Sequence, residues 1–502
     1  MNGLALAPIF GDGMVLQRDK ELAIWGTSDG KGTVRVYLGD FCAESTVVNG
    51  LWKCTFPPLE TATGLTLLVK QGSEIVRIQN VMIGDVWLAG GQSNMEFFLR
   101  YEAHYEEAKA LPKNRMIRMY TCPRIAFESQ NPYQSGCGYW FGEEDSAWET
   151  FSSAAYWFAR ELQPELDIPV GIIACNWGGT SASAWVPAQS LENSVLDVYL
   201  KDYESAIAGI DSEENRRVSM FGWAFQEDPD RIKEWAGVMY GIDREAQLER
   251  IIRCANNPVV PMGPYNKNRP GCLYEQMIRP IRDYAIKGVL WYQGENDVHH
   301  APLYNNLFST LIAQWRKIWG ADIPFLFAQL TPFDRWLALD GELFPEIRYQ
   351  QEIVSRIVAD CWMISTSDVG MQYDIHPKEK KALGHRFFLQ AMDKVYGHPC
   401  LSDAPTVREA KIKDNTIQLK FSHIGTGLQV KGEILPLFKV ARNGEVIPVE
   451  RIDVFGDLVV LTMRGNLENP VSITCAQTPY YEMGLYNSAM IPAIPFARTV
   501  EA

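Results

Sequence analysis

The chain has 502 residues, 47% hydrophobic and 22% charged, which excludes bulk disorder and at this length predicts two or three domains. Sixty-one acidic residues against 47 basic ones leave a net charge of −14, which excludes the basic surface that nucleic-acid binding requires. No apolar run reaches the roughly 18 residues of a membrane-spanning helix. The N-terminus MNGLALAPIFGDGMVLQRD also lacks the parts of a secretory signal, so the chain is expected to be cytoplasmic, or secreted if a signal has been removed.

Residues 1–80 read as short strands. LAIWGTS, TVRVYLG and LTLLVKQG alternate or run apolar between Gly, Asp and Asn turn signals, which predicts a small β-sandwich-like domain. The pattern changes near residue 81. VMIGDVWLAG is a buried-strand run ending in Gly-Gly, and SNMEFFLRYEAHYEEAKAL after it reads as a helix. SSAAYWFARELQ is helical, and PVGIIACNWGG and KGVLWYQGEND are strands that run into polar turns. Leu303, Leu307, Phe308, Leu311, Ile312 and Trp315 share one helical face. IPFLFAQLTP and ADCWMISTSD are further strands. Apolar strands alternating with helices predict an α/β domain over 81–404, a parallel sheet covered on both faces.

The polar, helix-forming stretch at about 190–260 (LENSVLDVYLKDYESA, DREAQLERIIRC) reads as a helical insertion in that domain. From 405 to 502 the chain returns to β alternation in TIQLKFS, PLFKVARNGEVIPVERI, LVVLTM and VSITCAQ, a C-terminal β domain. The ten cysteines are scattered without C-x-x-C pairs, so buried free thiols are expected rather than a zinc site.

Four polar clusters follow predicted strands, where open α/β sheets place their ligands. They are Gly90-Gly91-Gln92-Ser93-Asn94, Asn176-Trp177-Gly178-Gly179-Thr180, Gln293-Gly294-Glu295-Asn296-Asp297 and Asp374-Ile375-His376-Pro377. Ser93 at a strand-to-helix turn has an accessible hydroxyl beside a helix N-terminus, which favours developing negative charge. The same residues also fit a capping box, with Ser93 as N-cap and Glu96 reaching back. A lone histidine is more often structural than catalytic. His376, however, follows Asp374 by two positions, so in an extended segment the carboxylate shares its face and can orient the imidazole. His299-His300 beside Glu295 and Asp297 is a poor metal motif, because adjacent histidines rarely share one ion.

GDVWLAGGQSNMEF, NWGGTSASAW, WYQGEND and DIHPKEKKALGHR, in this order and spacing, resemble the sialate O-acetylesterase family of SGNH-type esterases. The flanks IFGDGMVLQRD and GLYNSAMIPAIPFAR resemble it as well, so the resemblance covers nearly the whole chain. It implies an SGNH-hydrolase (flavodoxin-like) parallel sheet flanked by helices, with β-rich N- and C-terminal domains. It makes Ser93 the nucleophile, His376 the general base and Asp374 the first-ranked acid, with Asp368 and Glu295 as alternatives. The wider SGNH pattern puts two residues between Asp and His, where this chain has one. The oxyanion donors would be the N–H of Ser93, the N–H of Gly178 (favoured over Gly179) and Gln293. Gln92, Asn94, Trp177, Gly179, Trp291 and Glu295 would contact substrate, and Trp185 and Tyr292 also flank the blocks, although such aromatics serve equally to pack a sheet.

The activity implied is removal of acetyl from sugar hydroxyls, with no metal and no organic cofactor. The implied partner is an acetylated carbohydrate, with no nucleic acid and no membrane. It is either O-acetylated sialic acid or a plant glycan such as xylan, xyloglucan or mannan. A non-catalytic glycan-binding descendant would have lost the Ser, His or Gln, and all three are present.

Overall fold

The structure, a computed structural model, describes residues 3–128, 130, 136–224, 261–336, 339–465, 467 and 470–501. They fall into two compact units. The first comprises the described residues of Met1–Ala236, Pro258–Gln293 and Asn306–Phe325; the second comprises those of Gly294–Asn305 and Leu326–Ala502.

The N-terminal strands of the first unit form as their alternation predicts. In Thr33–Leu38 the side chains of Val34, Val36 and Leu38 are buried while their neighbours face out. This strand pairs antiparallel with Phe41–Thr46 and with Ala62–Gln71. Leu22–Thr27 pairs with Ala5–Leu6 and Leu51–Phe56.

The boundary expected at 80/81 falls inside one continuous strand, Glu74–Gly91. Its first part pairs antiparallel with Ala62–Gln71 and is mostly exposed; from Val81 to Gly91 every residue is buried. The switch is local. Asn80 takes a positive φ of 55°, which Asn tolerates better than most residues, and the register shifts beside it, the signature of a bulge that bends the strand. Past the bulge the strand lies between two parallel neighbours, Val170–Asn176 and Gly288–Tyr292, and Ile117–Thr121 extends the parallel set. Both faces of these strands are buried, hence the continuous apolar runs. The sheet is nonetheless mixed rather than wholly parallel, since Trp140–Phe141 pairs antiparallel at its edge and the N-terminal strands join it through Glu74–Gly91.

Helix Ser153–Leu166 is capped by the Ser152 hydroxyl and buries Tyr156, Phe158, Ala159 and Leu162. Helix Tyr304–Trp319, in this unit from Asn306 on, buries the predicted stripe from Leu307 to Trp315. The single helix expected over 93–111 is instead broken into Ser93–Glu96, a 3-10 turn at Leu99–Tyr101 and a short helix at Tyr105–Ala110. Burial of Met95, Phe97 and Leu99, two apart, imposes an extended period there. Their backbone bonds go sideways: Ser153 N–H donates to Phe97 C=O at 2.9 Å and Leu99 N–H to Phe151 C=O at 3.0 Å. Of the expected insertion, Asp197–Ile207 and Ser212–Ala224 are helical; DREAQLERIIRC lies outside the described residues.

In the second unit, strand Phe325–Ala328 (from Leu326 on) neighbours Cys361–Ile364, and helices Phe344–Ile357 and Lys381–Gln390 follow each of them. The C-terminal region forms two four-stranded antiparallel sheets over one apolar core. Thr416–Ser422 shows why: Ile417, Leu419 and Phe421 point inward and the residues between them do not. Among the described residues the cysteines are free, and Cys54, Cys122, Cys175, Cys272, Cys361 and Cys475 are buried. No described helix is long and apolar enough to cross a membrane.

Gly91 carries the sharpest steric requirement at the strand ends. Its φ is +135°, and an added Cβ would sit 2.1 Å from the Tyr292 carbonyl oxygen. Gly91→Ala is therefore expected to destabilise the fold by about 3 kcal/mol or more, read as a lower denaturation midpoint. A midpoint equal to that of the parent chain would contradict this backbone packing.

Candidate active site

In the first unit three parallel strands end level with one another. Gly91 is in register with both Asn176 and Tyr292, so the polar blocks after them emerge side by side. The ladder continues one step further: Trp177 N–H donates to Gly91 C=O, and Gln92 N–H donates to Tyr292 C=O, both at 3.0 Å. Gln92 and Asn94 are buried and Ser93 between them stays partly exposed, so the turn presents one hydroxyl. The capping box does not form. The N-cap position is Gln92, no side chain caps the single-turn helix, and Ser93 N–H lies in the first turn, where no intrahelical acceptor exists.

Glu96 is used elsewhere. Its Oε1 lies 3.2 Å from Arg124 Nη2, and its Oε2 accepts the Gly178 N–H. Gly178 packs directly on the Ser93 turn, because a Cβ there would sit 3.1 Å from Glu96 Oε2 and 3.2 Å from Ser93 Cβ. The Gly178 N–H thus already holds a carboxylate oxygen close to Ser93.

The Gly178-Gly179 segment is tied down on its other side as well. Lys267 Nζ donates to the Gly178 carbonyl, and Asn268 Nδ2 donates to the Gly179 carbonyl at 2.9 Å. Gly179 has a φ of +65°, a conformation that suits glycine. Thr180 Oγ1 donates to Trp177 C=O at 2.7 Å and receives the Trp185 indole N–H at 3.0 Å. The Gln293 side chain is fully buried, and its Nε2 donates to Thr180 C=O at 3.1 Å, which fixes the direction of the amide. Burial pulls the Lys267 ammonium down to about 8; Arg124 pushes the same way and Glu96 opposes them.

The aromatic side chains expected to contact sugar are core residues. Trp177 and Trp291 are 2% and 1% exposed, and Trp185 and Tyr292 are fully buried. The Trp291 ring lies 6.4 Å from Trp185, 5.9 Å from Phe308 and 5.5 Å from Trp315. A sugar platform needs an open face, and helices cover both faces of this sheet.

In the second unit, His376 is buried with its ring edge-on to Trp336 at 5.3 Å. Asp374 Oδ1 accepts the His376 backbone N–H at 2.8 Å and lies 3.7 Å from His376 Nδ1. Asp374 Oδ2 accepts from Lys378 Nζ at 2.6 Å. Burial lowers the His376 imidazole below its ordinary value; Asp374 opposes this, while Lys378 and Lys380 add to it. Burial works to raise the Asp374 carboxyl, but the nearby His376 imidazole and the Lys378 charge hold it below the usual range. Asp368 is committed to Arg386 through bonds of 2.8 and 2.7 Å, and Glu295 is buried after Gly294.

The residues that sequence reasoning passed over are Arg124, Lys267 and Lys378. Arg124 follows the C-terminal end of strand Ile117–Thr121, so the rule that picked the other blocks applied to it too. Lys267 lies in the loop NKNRPG, with no strand among the described residues 261–265 just before it, and offers no such signal.

A family model described as carbohydrate esterase, sialic acid-specific acetylesterase matches residues 83–218 and 250–393, more than half of the chain. The chain is 26% identical to the sialate O-acetylesterase of Rattus norvegicus over 444 residues, covering 80% of this chain and 75% of the relative. It is 24% identical to the Homo sapiens sialate O-acetylesterase over 451 residues, covering 80% and 72%. Among solved structures, a carbohydrate acetylesterase from Xanthomonas citri superposes with a TM-score of 0.75 at 25% identity, over 98% of this chain and 99% of that one. On this match the chain belongs to the carbohydrate esterase, sialic acid-specific acetylesterase family.

Proposed function

We propose that the chain is a serine acetylesterase that releases acetate from the hydroxyls of O-acetylated sialic acid. The observation that carries this reading is the partly exposed Ser93, packed on a glycine whose N–H already holds an anionic oxygen. The Glu96 carboxylate stands there for the oxyanion. When the acyl oxygen takes that place, Glu96 keeps Arg124 as its partner.

The mechanism uses side chains, backbone and water. Ser93 Oγ attacks the acetyl carbonyl as His376 takes its proton, and Asp374 holds the imidazole. The oxyanion is received by the N–H groups of Ser93 and Gly178 and by Gln293 Nε2, each contributing on the order of 3 kcal/mol in the transition state. Collapse expels the sugar oxygen, which leaves with the proton from His376. Water, deprotonated by His376, then attacks the acetyl-serine; Ser93 leaves with that proton and acetate is released. Gln92 and Asn94, buried on either side of Ser93, hold the turn, and Gly179 and Glu295 border the sugar. The catalytic region is of SGNH-hydrolase (flavodoxin-like) type, preceded in sequence by β strands that run into it through Glu74–Gly91 and followed by a β region from about 405.

The reading is tested by acetate release from O-acetylated sialic acid, acetylated xylan, xyloglucan and mannan. The sialic acid ester is expected to show the highest kcat/KM, by about 10-fold or more. Faster turnover of xylan, xyloglucan or mannan would move the assignment to plant glycans, and equal weak rates on all four would end the claim of a dedicated sugar substrate.

A further inference from the structure

Arg100 follows the Ser93 turn and has no protein anion among the described residues. Its guanidinium carbon lies 4.8 Å from the Tyr101 ring centroid and 5.6 Å from that of Phe98, and the two rings stack at 6.2 Å with an 18° interplanar angle. All three residues are partly exposed. Arg100 makes no hydrogen bond or ion pair among the described residues, and its Nε is buried without an acceptor. The acids that follow it in sequence are engaged. Glu102 Oε2 accepts from His104 N–H at 2.8 Å and from Trp157 Nε1 at 3.3 Å. Glu106 pairs with Lys109 at 3.2 Å, and Glu107 lies 3.3 Å from His104 Nδ1. In a chain with 61 acidic residues, an arginine with no carboxylate among the described residues, set beside two rings, is a fork for an outside anion.

Topology puts this fork on the rim that carries Ser93. Helix Ser153–Leu166 leads through a short connection into strand Val170–Asn176 and packs on it. The helix spans about 21 Å and the strand about 23 Å, so the start of the helix returns to the level of the strand's C-terminal end. Phe98 bridges Ser152 at that start, and Leu99 N–H donates to Phe151 C=O. Phe98, Arg100 and Tyr101 therefore stand at the same edge of the sheet as Gly91 and Asn176.

We propose that Arg100, set against Phe98 and Tyr101, binds the carboxylate of an acidic sugar whose acetyl group is presented to Ser93. The assignment rests on the esterase reading above. A guanidinium takes a carboxylate through two parallel N–H···O bonds, and the ring faces beside it suit the apolar side of a pyranose.

The test compares acetate release from O-acetylated sialic acid with release from its carboxyl methyl ester. The parent chain is expected to prefer the free acid by about 10- to 100-fold in kcat/KM, carried by KM. In Arg100→Gln that ratio is expected to collapse toward one, and in Arg100→Lys to recover in part. The assignment is overturned by a parent chain that treats the two esters alike, or by a ratio unchanged in Arg100→Gln. A parent chain that is also inert toward p-nitrophenyl acetate overturns the esterase reading itself. Activity on p-nitrophenyl acetate without preference for the free acid overturns the Arg100 assignment alone.

Discussion

Ser93→Ala is expected to lower kcat for acetate release by a factor on the order of 10⁴ to 10⁶ while leaving the fold intact. The large effect follows from chemistry, because without Oγ no acetyl-enzyme forms and only the oxyanion donors remain. The small effect on stability follows from the geometry at the turn. Ser93 caps no helix, and alanine is a good residue in a first helical turn, so the unfolding free energy is expected to move by no more than about 0.5 kcal/mol. Had the capping box formed, the same change would cost about 1 kcal/mol. The measurement is paired: steady-state acetate release and a denaturant melt. Turnover within 10-fold of the parent rate removes Ser93 as nucleophile. A melt shifted by far more than 0.5 kcal/mol removes the claim that the residue is structurally idle.

His376 carries the second large effect. As a base it must be neutral, and burial, supported by Lys378 and Lys380, lowers its pKa against the pull of Asp374. Activity is therefore present above the folded-state pKa and lost as pH falls through it. The acid limb of kcat/KM is expected to have its midpoint below about 6.5, the ordinary histidine value. His376→Ala is expected to reduce kcat by about 10⁴ or more and to abolish that limb.

Asp374→Asn separates the roles of the pair. It removes the group that raises the imidazole pKa, so the surviving limb is expected to move to still lower pH as kcat drops by about 10⁴. An acid limb unmoved in Asp374→Asn would transfer the orienting role to another carboxylate. Asp368 is a weak successor, since Arg386 already takes both of its oxygens.

Much of the candidate site's placement at strand ends was legible because a recurrent rule picks out such positions. Apolar runs ending in Gly90-Gly91, Asn176 and Tyr292 marked strand ends, and their register brings these residues level. The exposures of the aromatic residues were not legible. Trp177 and Trp291 flank the polar blocks in sequence exactly as a sugar platform would, yet pack inward, because residues on a sheet covered on both faces have no open side. Glu96 shows the same limit at one residue. Three positions from Ser93 it fits a capping box, but Gly178 and Arg124, both distant in sequence, take its oxygens.

What the sequence by itself determined was periodic. The alternation of Val34, Val36 and Leu38, the helical stripe from Leu307 to Trp315 and the inward Ile417, Leu419 and Phe421 each repeat a backbone geometry that neighbouring residues impose. What only the tertiary structure decided was partnership. It ran one strand through the expected boundary at 80/81 and broke the helix expected over 93–111 by hydrogen bonds to Phe151 and Ser153. It also left Arg100 without an acid among the described residues by giving Glu102, Glu106 and Glu107 other partners. The reason is physical: period depends on local stereochemistry, whereas the partner of a charged or polar group depends on which remote segments the sheet brings to the same edge.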